Sequence, residues 1–345
     1  MDQRRAIEIM SGGRGGLGAG LLRAATWALS KPYACLVRLR RWLYGVGVFS
    51  PHQAPAPVIS IGNITTGGTG KTPMVAWVVE WLKAAGMSPA ILTRGYKARQ
   101  GKSDEAEMLW KLTAAPVVAD ADRVGSARAA VEAGADVLVL DDGFQHRRLK
   151  RDLDIVLIDA TNPFGFGHCL PRGLLREPLS ALREADAIVI TRSDMIAPAE
   201  LEALSACLAE LAPQASLHRA GHAPTAVVVE AGRHLPPRHL EGRKIVAFCG
   251  IGNPEAFFAC LEGLHAELAE RIAFDDHVAY GQPELARIRQ AAEASGAQAL
   301  VTTAKDRVKL VRPDLPAPLW TLKVEICITD GREVLLDRIR GAVRR

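Results

Sequence analysis

One stretch constrains this chain more than any other: Ser60-Ile61-Gly62-Asn63-Ile64-Thr65-Thr66-Gly67-Gly68-Thr69-Gly70-Lys71-Thr72-Pro73. Val58 to Ile61 reads as a short buried strand, and the run from Met74 reads as a helix closed by Gly86. Pro73 fits the first helical turn, where its missing N–H costs nothing. A glycine-rich turn between strand and helix points backbone N–H groups at phosphate oxygens, and the helix N-terminus adds a favourable dipole. The expected nucleotide-binding residues are therefore Thr65, Thr66, Gly67, Gly68, Thr69, Gly70, Lys71 and Thr72. Lys71 is expected to reach the β- and γ-phosphates and Thr72 to ligate Mg²⁺. The usual phosphate loop has glycine where Thr65 stands; the strand before and the helix after outweigh that departure.

The rest of the chain alternates in the same way. Strand-like apolar runs fall at 58–61, 90–93, 116–119, 137–140, 155–158 and 187–190, with helical stretches at 74–85, 104–113, 123–133 and 178–184. This predicts an α/β fold of the P-loop type, a mainly parallel sheet with helices on both faces. The Ala-rich stretch 196–223 reads as helix and as the end of that domain. A second, smaller α/β unit follows, with strands at 226–230, 244–248, 299–302 and 319–328. Its turn Cys249-Gly250-Ile251-Gly252-Asn253-Pro254 is explained by a tight strand-to-helix connection as well as by a ligand. At 345 residues about two domains are expected. The organisation read is 1–50, a basic amphipathic segment; 51–223, a P-loop domain; and 224–345, a C-terminal α/β domain.

Charge sets the first segment apart. Residues 1–50 hold eight basic residues against the acids Asp2 and Glu8, while the whole chain carries a formal +5. The excess positive charge of the protein therefore resides at its N-terminus. The same segment is greasy: on a helix, Cys35, Leu36, Leu39, Trp42, Leu43 and Val46 share one face, with Arg38, Arg40 and Arg41 off it. Arg23 and the Lys31-Pro32 break keep any apolar run short of the roughly 18 residues that span a bilayer. The pattern fits a helix lying at a membrane surface, arginines toward anionic head groups. The six cysteines are scattered with no C-x-x-C pair, which implies neither zinc nor a disulfide framework and suits a reducing cytoplasm.

The buried run 137–140 ends in Asp141-Asp142. A carboxylate at the end of a strand near a phosphate loop holds Mg²⁺ directly or through water, and either of the two could do so. Asp104-Glu105 follows a Gly101-Lys102-Ser103 turn into a helix, and by spacing alone it is a helix-start pair serving the dipole. His277 beside Asp275-Asp276 reads as a surface hydrogen-bonding residue. Thr191-Arg192-Ser193-Asp194 lies where guanine-specific proteins carry Asn/Thr-Lys-x-Asp, but Arg192 spoils the match.

Taken in order, these motifs resemble the tetraacyldisaccharide 4′-kinase family. The resemblance rests on the glycine loop, on Thr93-Arg94-Gly95-Tyr96, on Asp104-Glu105 and on Asp141-Asp142-Gly143-Phe144-Gln145-His146. It continues through Arg151-Asp152, Ile158-Asp159, Leu170-Pro171, Leu175-Arg176-Glu177-Pro178, Asp276-His277 and Thr302-Thr303-Ala304-Lys305-Asp306. It implies transfer of the γ-phosphate of ATP to the 4′-hydroxyl of an acylated glucosamine disaccharide 1-phosphate, at the cytoplasmic face of the bacterial inner membrane. It also implies catalytic roles for Asp104 as general base, His277 as its partner, and Lys71. Glu105 and Asp141 become Mg²⁺ ligands or their neighbours, and Arg123, Gln145, His146, Arg176 and Glu177 become substrate contacts. Three positions depart from the family's pattern: Ser103 and Ala106 flank the acids in place of Gly and Pro, and Ala304 replaces a Glu.

A sugar hydroxyl ionises far too weakly to attack unaided, so a carboxylate must take its proton, which suits this assignment. The competing class is a membrane-associated P-loop ATPase or GTPase of the partitioning or metallochaperone type. Partitioning ATPases carry a lysine where Thr66 stands, and metallochaperones a His/Cys cluster that this chain lacks. No feature calls for nucleic acid or for an obligate protein partner.

Overall fold

The computed structural model describes residues 8, 10–13, 15–95, 104–276, 278–310 and 314–344. The chain divides into two compact units, Met1–Gly221 with Ile326–Arg345, and His222–Glu325.

The first unit is built on a parallel sheet. Its strands are β1 (Val58–Asn63), β2 (Pro89–Thr93), β3 (Val117–Ala119), β4 (Val137–Asp141), β5 (Leu153–Asp159), β6 (Ala187–Thr191) and the first half of β7 (Ser216–Val228). Their order across the sheet is β7-β6-β5-β1-β4-β2-β3, which puts the strand before the glycine loop in the middle. Neighbouring strands run parallel throughout this order. Both faces are covered, as near-continuous apolar strands require. Ile59, Ile61, Val137, Val139, Ile155 and Leu157 point to one face. There they meet α2 (Lys71–Ala84), α3 (Asp104–Thr113) and the C-terminal helix at Arg332–Val343 through Val78, Leu82, Leu109, Leu335 and Ile339. The alternate residues face α1 (Leu17–Gly45), α4 (Arg123–Glu132) and α5 (Pro198–Leu211). The period-two alternation within each strand is what supplies both layers. Residues 332–343 thus return to the first unit, a connection that no composition shift in the sequence marks.

One reading needs correction. The stretch 196–223 is not one helix: α5 ends at Leu211 and β7 begins at Ser216. Pro213 disfavours helical backbone at Ala212, and Leu217 and Ala220 then alternate into the sheet. Lys31-Pro32 interrupts the apolar run without breaking the helix, and α1 runs through Pro32 from Leu17 to Gly45. Local propensity gives way to packing there, since Ser30 and Ala34 on either side of Pro32 are buried against the unit.

The second unit holds β8 (His234–Leu235), β9 (Lys244–Cys249), β10 (Glu267–Ala273), β11 (Ala299–Thr303) and the first part of β12 (Leu319–Asp330). The parallel order is β10-β9-β11-β12. On one face α6 (Pro254–Gly263) contributes Phe257, Phe258 and Leu261; on the other α7 (Gln282–Ser295) contributes Ile288, Ala291 and Ala292. The short helix α8 (Ala304–Arg307) and the C-terminal α9 (Arg332–Val343) complete the elements used below.

Candidate active site at the phosphate loop

The glycine loop leaves β1 at Asn63 and enters α2 at Lys71. Gly70 makes the entry with φ 87°, a left-handed conformation that side chains resist. Gly62 is needed for another reason: a Cβ there would lie 2.6 Å from that of Phe144, so β1 and the 143–146 turn touch backbone to side chain. The loop is held from several directions. Asn63 Nδ2 donates to Thr69 Oγ1 at 2.9 Å, and Lys71 Nζ donates to Asn63 Oδ1 at 3.2 Å. Thr66 N donates to Leu174 O at 2.8 Å, and Arg176 N donates to Ile64 O at 2.7 Å. Thr191 Oγ1 reaches Thr69 O at 3.1 Å. Arg192 reaches Gly68 O at 2.7 Å and is ion-paired to Asp159. Arg192 is therefore a clasp on the loop. Sequence reasoning set it aside as a spoiled guanine motif and did not single out Asn63 at all. The signal present was Ile158-Asp159 on the neighbouring strand, an acid with no assigned partner.

Asp141 ends β4 and Asp142 follows it with φ 53°. These neighbours shift in opposite directions. Burial pushes the Asp141 carboxyl up to about 6, with Asp142 and Glu105 adding to the rise and Lys71 opposing it. Burial raises Asp142 too, but the hydrogen bond from Arg176 and the charges of Lys71 and Arg176 outweigh it and hold it below its ordinary value. Asp142 Oδ1 takes Arg176 Nη1 at 2.8 Å and lies 3.6 Å from Lys71 Nζ. Asp141 Oδ1, by contrast, is buried and has no hydrogen-bond partner. A buried carboxylate oxygen with an open position, at the carboxyl end of a strand beside the Gly-Lys-Thr turn, fits a hard divalent cation. Among the described residues no cluster of three or more His, Cys, Asp or Glu could hold a metal by itself. Mg²⁺ takes one or two carboxylates and completes its shell with water and phosphate.

The other predicted residues are distributed around this point. Arg123 is buried, donating to Asp120 O at 3.1 Å and to Asp141 O at 3.2 Å. Gln145 Nε2 donates to Asn63 O at 2.8 Å, which ties the 143–146 turn to the loop. Burial, followed by the charges of Arg123, Arg148, Arg151 and Arg40, lowers the His146 imidazole to about 4, so it is neutral at pH 7. Glu177 is buried and ion-paired to Arg41 at 3.0 Å. Thr72 lies in the first turn of α2, and Glu105 is exposed on α3. Asp104 is the first residue of α3; its side chain, and the whole of His277, lie outside the described residues. In the second unit, Asp306 accepts from Gly250 N at 2.9 Å and from Thr303 Oγ1 at 2.8 Å, and Lys305 pairs with Asp276 at 2.8 Å.

Comparison with known proteins decides what this arrangement belongs to. A family model described as tetraacyldisaccharide-1-P 4′-kinase matches residues 22–343. The chain belongs to this kinase family. A tetraacyldisaccharide 4′-kinase of Geobacter metallireducens is 44% identical, over 84% of this chain and 89% of the relative. One from Anaeromyxobacter dehalogenans is 41% identical, over 92% of this chain and 90% of the relative. Among solved structures, the "apo" form of LpxK from Aquifex aeolicus in complex with ATP has a TM-score of 0.73 at 27% identity. It covers 93% of this chain and 99% of that one. Membership in the 4′-kinase family places the chain among phosphotransferases with an alcohol acceptor and does not favour the partitioning or metallochaperone alternative.

Proposed function

We propose that the protein transfers the γ-phosphoryl group of ATP to the 4′-hydroxyl of a tetraacylated glucosamine disaccharide 1-phosphate, giving lipid IVA in lipid A biosynthesis. The observation that carries this is the linked set Lys71, Asp142 and Arg176 beside the open oxygen of Asp141, on the phosphate loop of a chain in this family.

The loop from Thr65 to Thr72 cradles the phosphates, and Asp142, 3.6 Å from Lys71, holds that lysine near the site. Asp141, with Thr72, would hold Mg²⁺, and Glu105 lies close enough to raise Asp141. That cation, when bound, neutralises charge on the phosphates and fixes their geometry. Asp104 accepts the proton of the 4′-hydroxyl as the oxygen bonds to the γ-phosphorus and the bond to the β-phosphate oxygen breaks. His277 holds Asp104 for that task. Arg176 and the neutral His146 serve the sugar and phosphate groups of the acceptor, with Arg123 and Gln145 setting the surrounding turns. The roles of Asp104 and His277 are supported by the family resemblance and by the place of Asp104 at the start of α3.

The acceptor is an anionic amphiphile, and helix α1 suits a lipid surface. Leu36, Leu39 and Trp42 are exposed on it, with Val46 exposed just past its end, interleaved with the exposed Arg38 and Arg40. No helix among the described residues is long and apolar enough to cross a membrane. We therefore place the enzyme on the surface of the bilayer that holds its substrate, at the cytoplasmic face of the bacterial inner membrane where ATP is present.

The test uses the full chain with detergent-dispersed tetraacyldisaccharide 1-phosphate, Mg²⁺ and γ-labelled ATP, beside Asp104→Asn. The expected outcome is label in the lipid with wild type and its loss in the variant while ATP still binds. Label released only as free phosphate, whatever lipid is offered, would overturn the reading.

A further inference from the structure

Helix α1 faces two ways. Its outward side carries the apolar and basic residues described above. Its inward side carries two polar groups, Tyr33 and Arg41, onto the turn that holds Arg176 and Glu177. The Tyr33 hydroxyl donates to Arg176 O at 3.0 Å. Arg41 Nη1 pairs with Glu177 at 3.0 Å, and its Nη2 donates to Ala181 O at 3.1 Å. The same guanidinium pairs with Glu184 and lies 5.8 Å from the centre of the Phe144 ring. Glu177 is only 3% exposed, and a buried carboxylate left without a partner is strongly destabilising where it stands. Its geometry is therefore tied to Arg41.

From that turn the connections run inward. Arg176 donates through its N–H to Ile64 O at 2.7 Å, within the phosphate-loop segment. Its side chain holds Asp142 at 2.8 Å, and Asp142 faces Lys71 at 3.6 Å. A short series of hydrogen bonds and ion pairs thus joins the helix that meets lipid to the lysine that meets phosphate.

We infer that Tyr33 and Arg41 are positioning residues: from α1 they set the Arg176–Glu177 turn, and through it Asp142 and Lys71. The inference rests on the kinase reading above and adds that α1 is part of the catalytic scaffold as well as a surface for lipid. A helix serving only as a lipid anchor would act on the apparent affinity for the acceptor. A helix that positions Arg176 acts on turnover.

The experiment measures kcat and KM separately, with tetraacyldisaccharide 1-phosphate in mixed micelles and Mg²⁺-ATP, for the full chain and four variants. Arg41→Ala is expected to lower kcat by about tenfold or more with lipid KM near wild type, the size expected when reacting groups are misplaced. Arg41→Lys is expected to recover part of that loss, because an ammonium keeps the charge but not the planar fork that reaches Glu177, Glu184 and Ala181 O from two nitrogens. Tyr33→Phe removes one hydrogen bond and keeps the ring, so kcat is expected to fall about threefold with an unchanged thermal midpoint. Arg38→Ala, exposed on the same helix, is expected to raise lipid KM and leave kcat alone. If Arg41→Ala does not fold, Tyr33→Phe decides. A wild-type kcat in folded Tyr33→Phe or Arg41→Ala, with lipid KM shifted as in Arg38→Ala, would overturn the inference while leaving the kinase reading intact. A wild-type protein that labels no lipid would sink the kinase reading, and the inference with it.

Discussion

Two helices of the first unit, α1 and α2, are both rich in apolar residues and point them in opposite directions. In α2, Met74, Val75, Val78, Val79 and Leu82 are buried against Ile59, Ile61 and Val139. In α1, Leu36 is 65% exposed and Trp42 59%, while the residues turned inward include Ser30, Ala34 and Arg41. The sheet faces beneath them differ in where their buried polar groups sit. Under α2 the apolar cluster gives way to Asn63, Thr93, Asp141 and Thr191 only at the carboxyl ends of the strands. The opposite face carries Ser60 and Asp154 as buried polar groups, with Arg151 beside Asp154 at 2.9 Å. Apolar content alone therefore does not say where a helix belongs. What decides is which stripe the neighbouring surface can accept, and α1 keeps its apolar stripe for a different solvent.

The sharpest way to break this contrast is to truncate one leucine on each helix. Leu82→Ala removes a fully buried side chain and is expected to cost about 2–5 kcal/mol in urea unfolding of the full chain. Leu36→Ala is expected to shift unfolding by no more than about 0.5 kcal/mol, because its side chain is already in water. Equal losses at the two positions would mean that α1 buries its apolar stripe against the protein in solution, and the distinction would fall.

Much of the α2 side was legible in the sequence, and much of the α1 side was not. The strand, loop and helix around Gly70-Lys71 obey local rules, so β1, α2 and the Asp141-Asp142 pair could be placed from pattern alone, though not which of the two carboxylates keeps an open oxygen. The grouping of apolar positions on α1 was also visible, since Leu36, Leu39 and Leu43 recur at helical spacing. Its unbroken passage through Pro32 was not, because packing of Ser30 and Ala34 supplies what local propensity lacks. The partners of Arg41 were hidden for a similar reason. Glu177 lies 136 positions away, and nothing in the spacing of a basic helix announces which of its arginines is turned inward. Arg192 shows the same limit within a motif: its departure from a familiar pattern could be read, but not the Gly68 carbonyl it clasps.

The polar face under α1 gives a second test, by pH. Burial pushes the Asp154 carboxyl up to about 6, against the opposing charge of Arg151. A carboxyl raised on folding binds more protons in the native state than in the unfolded one. Its contribution is therefore fully present below the unfolded pKa near 4 and is lost as pH rises through about 6. The loss is on the order of 3 kcal/mol at most, from a rise of roughly two units. Asp154→Asn should flatten the stability profile between about pH 4 and 7 relative to wild type, read from urea midpoints at each pH. A parallel profile for the variant would mean that Asp154 stays ionised at its ordinary value, and the polar face would then be better compensated than the contrast with α2 requires.

The smallest effects belong to the outward face of α1, and they bear on what its apolar stripe is for. Trp42→Ala is expected to weaken binding to anionic vesicles by about tenfold, since an exposed indole gains most from the bilayer interface. Arg38→Ala is expected to weaken it by about fivefold at low salt, and by less as ionic strength rises, because the exposed guanidinium acts through a screened surface potential. On neutral vesicles the Trp42 effect should persist and the Arg38 effect should vanish. Co-sedimentation across the two lipid compositions separates the contributions. If neither substitution changes binding while Leu36→Ala also leaves stability untouched, the stripe meets neither protein nor lipid. Its exposure would then have no physical cause, and the reading of α1 as the mirror image of α2 would have to be abandoned.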